Sequence, residues 1–170
     1  FCLPPHPGTL CDIGSGGGMP GLVLARMLPD DRVTLVESEG RKAQWLAREA
    51  EGLENVTVVH DRSEALAARD REQFDTVTAR ALAPPAATLE LAAPLVRVGG
   101  RVVVWTSSDS ADAWHAVDPV LERLGFGSRQ AVSVDPFPDS RRMLMLISKV
   151  TPTPLTFPRR PGRATKRALA

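Results

Sequence analysis

Cysteine is scarce in this 170-residue chain. Cys2 and Cys11 are the only two, too few for a disulfide framework and suited to a reducing cytoplasm, where the protein is expected to reside. His6, His60 and His115 are scattered without the spacing that gathers metal ligands, so no metal is expected. No apolar run is long enough to cross a bilayer, no signal-peptide pattern opens the chain, and no internal repeat appears. The last twenty residues hold no acid at all, only Arg159, Arg160, Arg163, Lys166 and Arg167. The net charge of +1 therefore hides an acidic first 150 residues. Pro152, Pro154, Pro158 and Pro161 exclude a regular helix or central strand from the same stretch. Residues 151–170 are expected to form an extended basic arm, suited to phosphate backbones or, more plainly, to solubility. Residues 1–150, in a chain that is 43% hydrophobic, suffice for one compact domain. The chain opens on Phe1 rather than Met, almost on its first strand, so a segment upstream is expected.

What is present alternates between two periodicities. Thr9-Leu10-Cys11, Arg32 to Val36, Asn55 to His60, Phe74 to Thr78 and Arg101 to Trp105 read as strands. Helical spacing fills the gaps: Leu22 to Leu28, Ser38 to Gly52 with Ser38 as N-cap, Ser63 to Arg71, Pro85 to Val96 with a break near Pro94, and Asp109 to Leu124. Gly99-Gly100 is read as a chain reversal before the fifth strand. Regular strand–helix alternation implies a parallel sheet covered on both faces. Ser128 to Val134 and Met143 to Lys149 break the rule, because only a short loop built around residues 135–140 lies between them. So short a loop holds no crossover helix, so those two strands pair antiparallel. The expected fold is α/β and doubly wound, a mostly parallel seven-stranded sheet with an antiparallel last strand.

The densest signal lies between the first strand and first helix: Asp12-Ile13-Gly14-Ser15-Gly16-Gly17-Gly18-Met19-Pro20-Gly21. Glycines let a chain turn sharply and let a ligand reach bare backbone, and the helix start behind them offers unpaired N–H groups. Gly16-x-Gly18-x-x-Gly21 satisfies a dinucleotide fingerprint. The strand, however, more naturally ends at Gly14, which gives an acidic-x-Gly-x-Gly-x-Gly frame from Asp12, Gly14, Gly16 and Gly18. That frame is similar to the S-adenosylmethionine loop of doubly wound methyltransferases. A carboxylate there suits a cationic methionine end and opposes a pyrophosphate. Glu37, at the end of the second strand, is placed to accept hydrogen bonds from a ribose. Both cofactors carry an adenosine ribose, so Glu37 does not choose between them.

Three further segments narrow the choice: Asp61-Arg62-Ser63-Glu64, Thr78-Ala79-Arg80-Ala81-Leu82-Ala83-Pro84, and Phe157-Pro158-Arg159-Arg160-Pro161-Gly162. With the Met19-Pro20-Gly21 ending of the loop, they resemble the bacterial small-subunit (16S) rRNA methyltransferases acting on N7 of a guanine, formerly called glucose-inhibited division protein B. The likeness spans about residues 9 to 163. It implies the class I S-adenosylmethionine methyltransferase fold, with that cofactor and small-subunit ribosomal RNA as partners, a monomer, and no membrane. It implies that Gly14, Gly16, Gly18 and Met19 meet the cofactor with Glu37, and that Ser63 and Glu64 frame its adenine. Arg80 stands at the mouth of the site, for the methionine carboxylate or an RNA phosphate. Arg80, Arg159, Arg160, Arg163, Lys166 and Arg167 are the expected RNA contacts. Two departures are visible: Thr106-Ser107 stands where the family has a Lys-Gly pair, and the family's N-terminal helices are absent before Phe1.

The residues also bear on the chemistry. Carbon methylation of a pyrimidine needs a cysteine nucleophile, and neither Cys2 nor Cys11 lies near the fourth strand. Arg80-Ala81-Leu82-Ala83-Pro84 does not match the Asn/Asp-Pro-Pro-aromatic motif of amine methylation. Guanine N7 carries a free lone pair, so alignment with a methyl sulfonium supplies most of the rate and no general base is assigned. Trp105 and Trp114 could stack on a base, although tryptophan in an apolar strand or helix is usually core. Two other readings stay open: a degenerate methyltransferase fold that binds RNA or ribosomes without turnover, and an NAD-dependent oxidoreductase.

Overall fold

The computed structural model describes residues 8–134, 137 and 140–169; Cys2, His6 and much of the 135–140 loop lie outside them. Five strands run parallel: β1 (Thr9–Ile13), β2 (Arg32–Glu37), β3 (Val56–His60), β4 (Phe74–Arg80) and β5 (Val96–Ser107). Between them lie α1 (Gly21–Met27), α2 (Gly40–Glu49), α3 (Ser63–Arg69) and α4 (Pro85–Ala92). Then come α5 (Ala111–His115), α6 (Asp118–Arg123), β6 (Phe126–Val134), β7 (Arg142–Lys149) and a short α7 (Arg163–Lys166). The sheet order is β3-β2-β1-β4-β5-β7-β6, with β7 antiparallel to both neighbours. The chain order reverses between β1 and β4, the place where open α/β sheets leave a crevice at their carboxyl ends.

Period-two alternation sorts the strands onto two cores. Leu10, Val33, Leu35 and Val103 face α1 and α2, burying Leu22, Leu24 and Leu46 with them. Cys11, Ile13, Val77, Ala79, Val102 and Val104 face the opposite side, against α3, α4, α6 and, from the C-terminal segment, Phe157 and Ala164. Both faces of β1 are therefore covered, as a parallel strand requires.

Four sequence expectations shift. The helix expected over 109–124 is a 3-10 turn followed by α5 and α6, because Pro119 has no N–H to bond His115 and opens α6 instead. The helix expected to reach Val96 stops at Ala92, two residues before Pro94. Ser38 does not cap α2; Glu39 does by position, and its N–H goes to the Glu37 carboxylate. Gly99-Gly100 does not reverse the chain but sits inside β5, where the register slips between Phe74 and Thr76. A side chain at Gly100 would collide with the Asp75 carbonyl at 2.6 Å, so the strand passes only as glycine.

Candidate functional site at the carboxyl ends of β1 to β5

The glycine turn is closed on itself by the Gly18 N–H on the Ser15 carbonyl at 2.7 Å and is stitched to β2 as well. The N–H groups of Gly14 and Ser15 both donate to the Val36 carbonyl, at 2.9 and 3.0 Å. The Gly16 N–H donates to Glu37 Oε2 at 2.9 Å, while Glu37 Oε1 takes the Glu39 N–H at 2.8 Å. Glu37 is thereby fixed at the strand end with one lone pair of each oxygen still free. Gly14 has φ +67, and a Cβ there would meet Leu82 Cδ1 at 2.5 Å. Gly16 and Gly17 instead face open space, Gly18 is buried against Leu22, and Met19 is exposed.

Asp12 holds the turn from below. Register pairs it with Thr78 on β4, whose hydroxyl donates to Asp12 Oδ1 at 2.6 Å. The Gly21 N–H donates to Oδ2 at 3.3 Å, a distance that only a glycine allows because a Cβ would strike the carboxylate and Leu35. Burial raises the Asp12 carboxyl to about 6, against the opposing bonds from Thr78, Ser15 and Gly21 and the nearby Arg80. At 1% exposure it lies under the crevice, not in its wall. Its carboxylate is engaged by Thr78 of β4 and by the Gly21 N–H, so its charge faces the crevice from beneath the glycine turn. Cys11 beside it is fully buried, and burial, with Asp12 adding to it, pushes its thiol up and away from thiolate.

Arg80 ends β4 exposed, and its Nε donates to the Met19 carbonyl at 3.0 Å, tying the two crevice lips together. Ala81 follows with φ +51, an uncommon conformation for a residue with a side chain, and it aims Leu82 over Gly14. Leu82 separates two cavities. The smaller, about 120 Å³, is lined by Gly14, Val36, Ser63, Glu64 and, from the C-terminal segment, Gly162 and Thr165. The larger, about 700 Å³, opens between Arg80, Trp105, Thr106, Trp114 and Arg142. Thr106 Oγ1 accepts the Trp114 indole N–H at 3.2 Å, and that tryptophan is 2% exposed, a core residue with one edge on the cavity. Arg80 and Arg142 bring the cations to this cavity, where Thr106 brings none.

The C-terminal segment is not the extended arm expected from its prolines. Arg159 reaches inward, its Nε 2.8 Å from Glu90 Oε1 and its Nη2 2.5 Å from Oε2, and Glu90 is 0% exposed. Its assignment as an RNA contact is corrected, since a desolvated carboxylate left without that fork would be costly. Arg71 donates to the carbonyls of Thr153 and Phe157, and the Gly162 N–H donates to Glu64 Oε1 at 2.9 Å. Glu64 and Ser63 do line the small cavity, but Glu64 also tethers the tail, with a long 3.5 Å contact from Ser63 Oγ. Arg160, Arg163, Lys166 and Arg167 remain exposed, facing outward.

Sequence reasoning passed over Thr78, Leu82 and Arg142. Thr78 had a signal, a hydroxyl in an apolar parallel strand opposite an acid. Leu82 and Arg142 had none, because their neighbours come from distant segments. Among the described residues, no cluster of three His, Cys, Asp or Glu could hold a metal, and no helix is long and apolar enough to cross a membrane.

Residues 3–138 match a family described as GidB, rRNA small subunit methyltransferase G. The ribosomal RNA small subunit methyltransferase G of Roseiflexus sp. (strain RS-1) is 42% identical over 171 aligned residues, covering 96% of this chain and 71% of that protein. Among solved structures, the antibiotic-resistance methyltransferase Kmr is 25% identical with a TM-score of 0.65, over 87% of this chain and 90% of that one. A T. thermophilus 16S rRNA N2 methyltransferase, solved with AdoMet and guanosine, shares the fold at a TM-score of 0.64 and 17% identity. That likeness covers 89% of this chain and 38% of the other.

Proposed function

This chain belongs to the rRNA small subunit methyltransferase G (GidB) family, and from that premise we propose that it moves a methyl group from S-adenosylmethionine to N7 of a guanine in 16S rRNA. The observation that carries the reading is the pair of cavities meeting at Leu82 above the Gly14 turn. The smaller suits a purine ring beside backbone and the Glu64 carboxylate, and the larger suits a flat group among two cations and two tryptophans. The residues present suit the cofactor. Glu37 keeps free lone pairs for a ribose diol, Gly16 and Gly17 offer bare backbone, and Ser63 stands at the small cavity. Bound there, the cofactor supplies a methyl group on a sulfonium, an electrophile that needs no further activation.

The chain's own work is then alignment. Arg80 closes the lips through Met19 and keeps its remaining guanidinium donors for a carboxylate or a phosphate. Arg142 stands across the larger cavity with the same capacity. Guanine N7 has a lone pair available at neutral pH, so no residue has to take a proton before attack, and positioning accounts for the rate. Cys11 is buried beneath the sheet and is no nucleophile. The exposed Arg160, Arg163, Lys166 and Arg167 supply sequence-independent attraction to the RNA backbone.

Calorimetric titration with S-adenosylmethionine, with NADH in parallel, tests the cofactor. Incubation with small-subunit RNA and with assembled subunits, followed by cleavage at 7-methylguanine, tests the atom. Selective binding and cleavage at a single guanine are expected. NADH binding, or methyl incorporation at an amine or carbon, overturns the proposal. Cofactor binding without transfer to either substrate would instead favour the non-catalytic RNA-binding reading that Thr106 in place of lysine suggests.

A further inference from the structure

The C-terminal segment is anchored at four places, and the anchors lead to one destination. Thr153 is buried, with its N–H and the Lys149 ammonium both on Glu72 Oε1, at 2.6 and 2.9 Å. Arg71 clamps the next turn of chain through the carbonyls of Thr153 and Phe157. Phe157 and Ala164 are buried in the core on the α4 side, and Arg159 locks onto Glu90. Arg159 Nη2 also donates to the Arg167 carbonyl at 2.7 Å, so the same guanidinium ties down both ends of the last turn. The final tether is the Gly162 N–H on Glu64, with Thr165 Oγ1 bonded to the Gly162 carbonyl at 3.1 Å.

These anchors set Gly162 and Thr165 into the wall of the small cavity, opposite Gly14, Val36 and Ser63. At Gly162 a Cβ would meet nothing within 4 Å, so its bare backbone faces open space. An arm that only attracted RNA would need none of this inward chemistry. A buried ion pair is a poor route to stability, because desolvation offsets most of the attraction, but it fixes the position of what it holds. What Glu90 and Arg159 fix is one side of the small cavity beside Ser63 and Glu64.

We infer that residues 157–165 form the outer wall of the adenosine end of the cofactor site, so that Arg159 acts, through Gly162 and Thr165, as a positioning residue for cofactor binding. The inference rests on the proposed function for the identity of the cofactor. Exposed Arg160 and Arg163 flank this wall, so one short segment closes the cofactor site on its inner side and faces RNA on its outer side.

The test uses the full chain carrying Glu90→Gln with Arg159→Met, a pair that removes both charges and strands neither. The dissociation constant and KM for S-adenosylmethionine are expected to rise about tenfold, while kcat and the KM for RNA stay within about twofold. A raised KM for RNA with unchanged cofactor affinity overturns the inference, and so does no change in either. A wild-type measurement stands beside it in case the variant fails to fold. Amide exchange at residues 157–165 is expected to slow when the wild-type chain is saturated with cofactor. Wild-type chain that binds cofactor without such slowing overturns this inference alone. Wild-type chain that binds no cofactor overturns the proposed function and this inference with it.

Discussion

Replacing Asp12 by asparagine isolates the cost of keeping a carboxyl under the glycine turn. The side chain is 1% exposed, and its carboxylate takes the Thr78 hydroxyl and the Gly21 N–H, with the Ser15 hydroxyl also close by. Burial raises its pKa from 3.8 to about 6. In the unfolded chain the carboxyl ionises near its ordinary value, whereas in the folded chain it keeps its proton about two pH units longer. Between those values the native state binds more protons than the unfolded one, so stability falls as pH rises from about 4 to about 6 and then levels off. At about 1.4 kcal/mol per unit, the loss is about 3 kcal/mol. An asparagine never ionises and can keep both contacts, its Oδ1 on the Gly21 N–H and its amide on the Thr78 hydroxyl. Urea denaturation of both proteins from pH 4 to pH 7.5 reads the difference. The variant should match the wild type near pH 4 and exceed it by up to about 3 kcal/mol above pH 6. Other carboxyls titrate in the same range. Partial burial alone would raise Glu72 and Asp75, yet Lys149 with the Thr153 amide, and Thr9 with Arg97, hold both below the ordinary range. Those groups are common to the two proteins and cancel. A difference that stays constant with pH, or that favours the wild type at pH 7.5, refutes the reasoning.

Two further outcomes follow from the crevice and the tail. Gly14→Ala puts a Cβ 2.5 Å from Leu82 Cδ1 at a φ of +67, which should cost about 2–4 kcal/mol in denaturant midpoints and weaken cofactor binding. The double variant with Leu82→Ala should recover the part due to overpacking, and no recovery would place the cost elsewhere. Arg160→Ala should lower the slope of log affinity for RNA against log salt by about 0.7–0.9, as the loss of one phosphate contact requires. Arg159→Ala should leave that slope unchanged, because its guanidinium already lies on Glu90; equal slopes for the two variants would refute the division between inward and outward cations.

Much of the fold was legible because its signals are local. Each parallel strand announced itself by a short run of apolar and β-branched residues, and the short loop between the last two strands left only an antiparallel pairing. The crevice was legible for the same reason where one segment of chain forms it, as with the glycine turn that follows β1. Boundaries failed where a local cue admits two structures. Gly99-Gly100 is a turn by composition, but the same residues also let β5 slide past the Asp75 carbonyl. Pro119 reads as part of a helix because the first turn tolerates proline, and here it is the first turn of a second helix. Thr78 became meaningful only once β1 and β4 were paired in register.

The tail was misread for a different reason. Its prolines and cations describe what the segment cannot do alone, while its position is decided by carboxylates far away in the chain: Glu72, Glu90 and Glu64, which lie 81, 69 and 98 residues from their tail partners. One of these did leave a trace. Glu90 lies in α4, where every residue from Ala86 to Ala92 is buried. An acid in the middle of an apolar helix has to be neutralised, hydrogen-bonded by a cation, or moved to the surface. Arginine is the side chain that can meet both oxygens of a buried carboxylate at once, whereas a lysine offers a single point of charge. A basic segment with no acid of its own was therefore the natural source of that partner. Of the five tail cations four are arginines, and only the one that follows Phe157 and Pro158, where the chain already enters the core, reaches Glu90. The electrostatics of the tail are thus divided by packing: Phe157 fixes which cation turns inward, and the rest are left for phosphate.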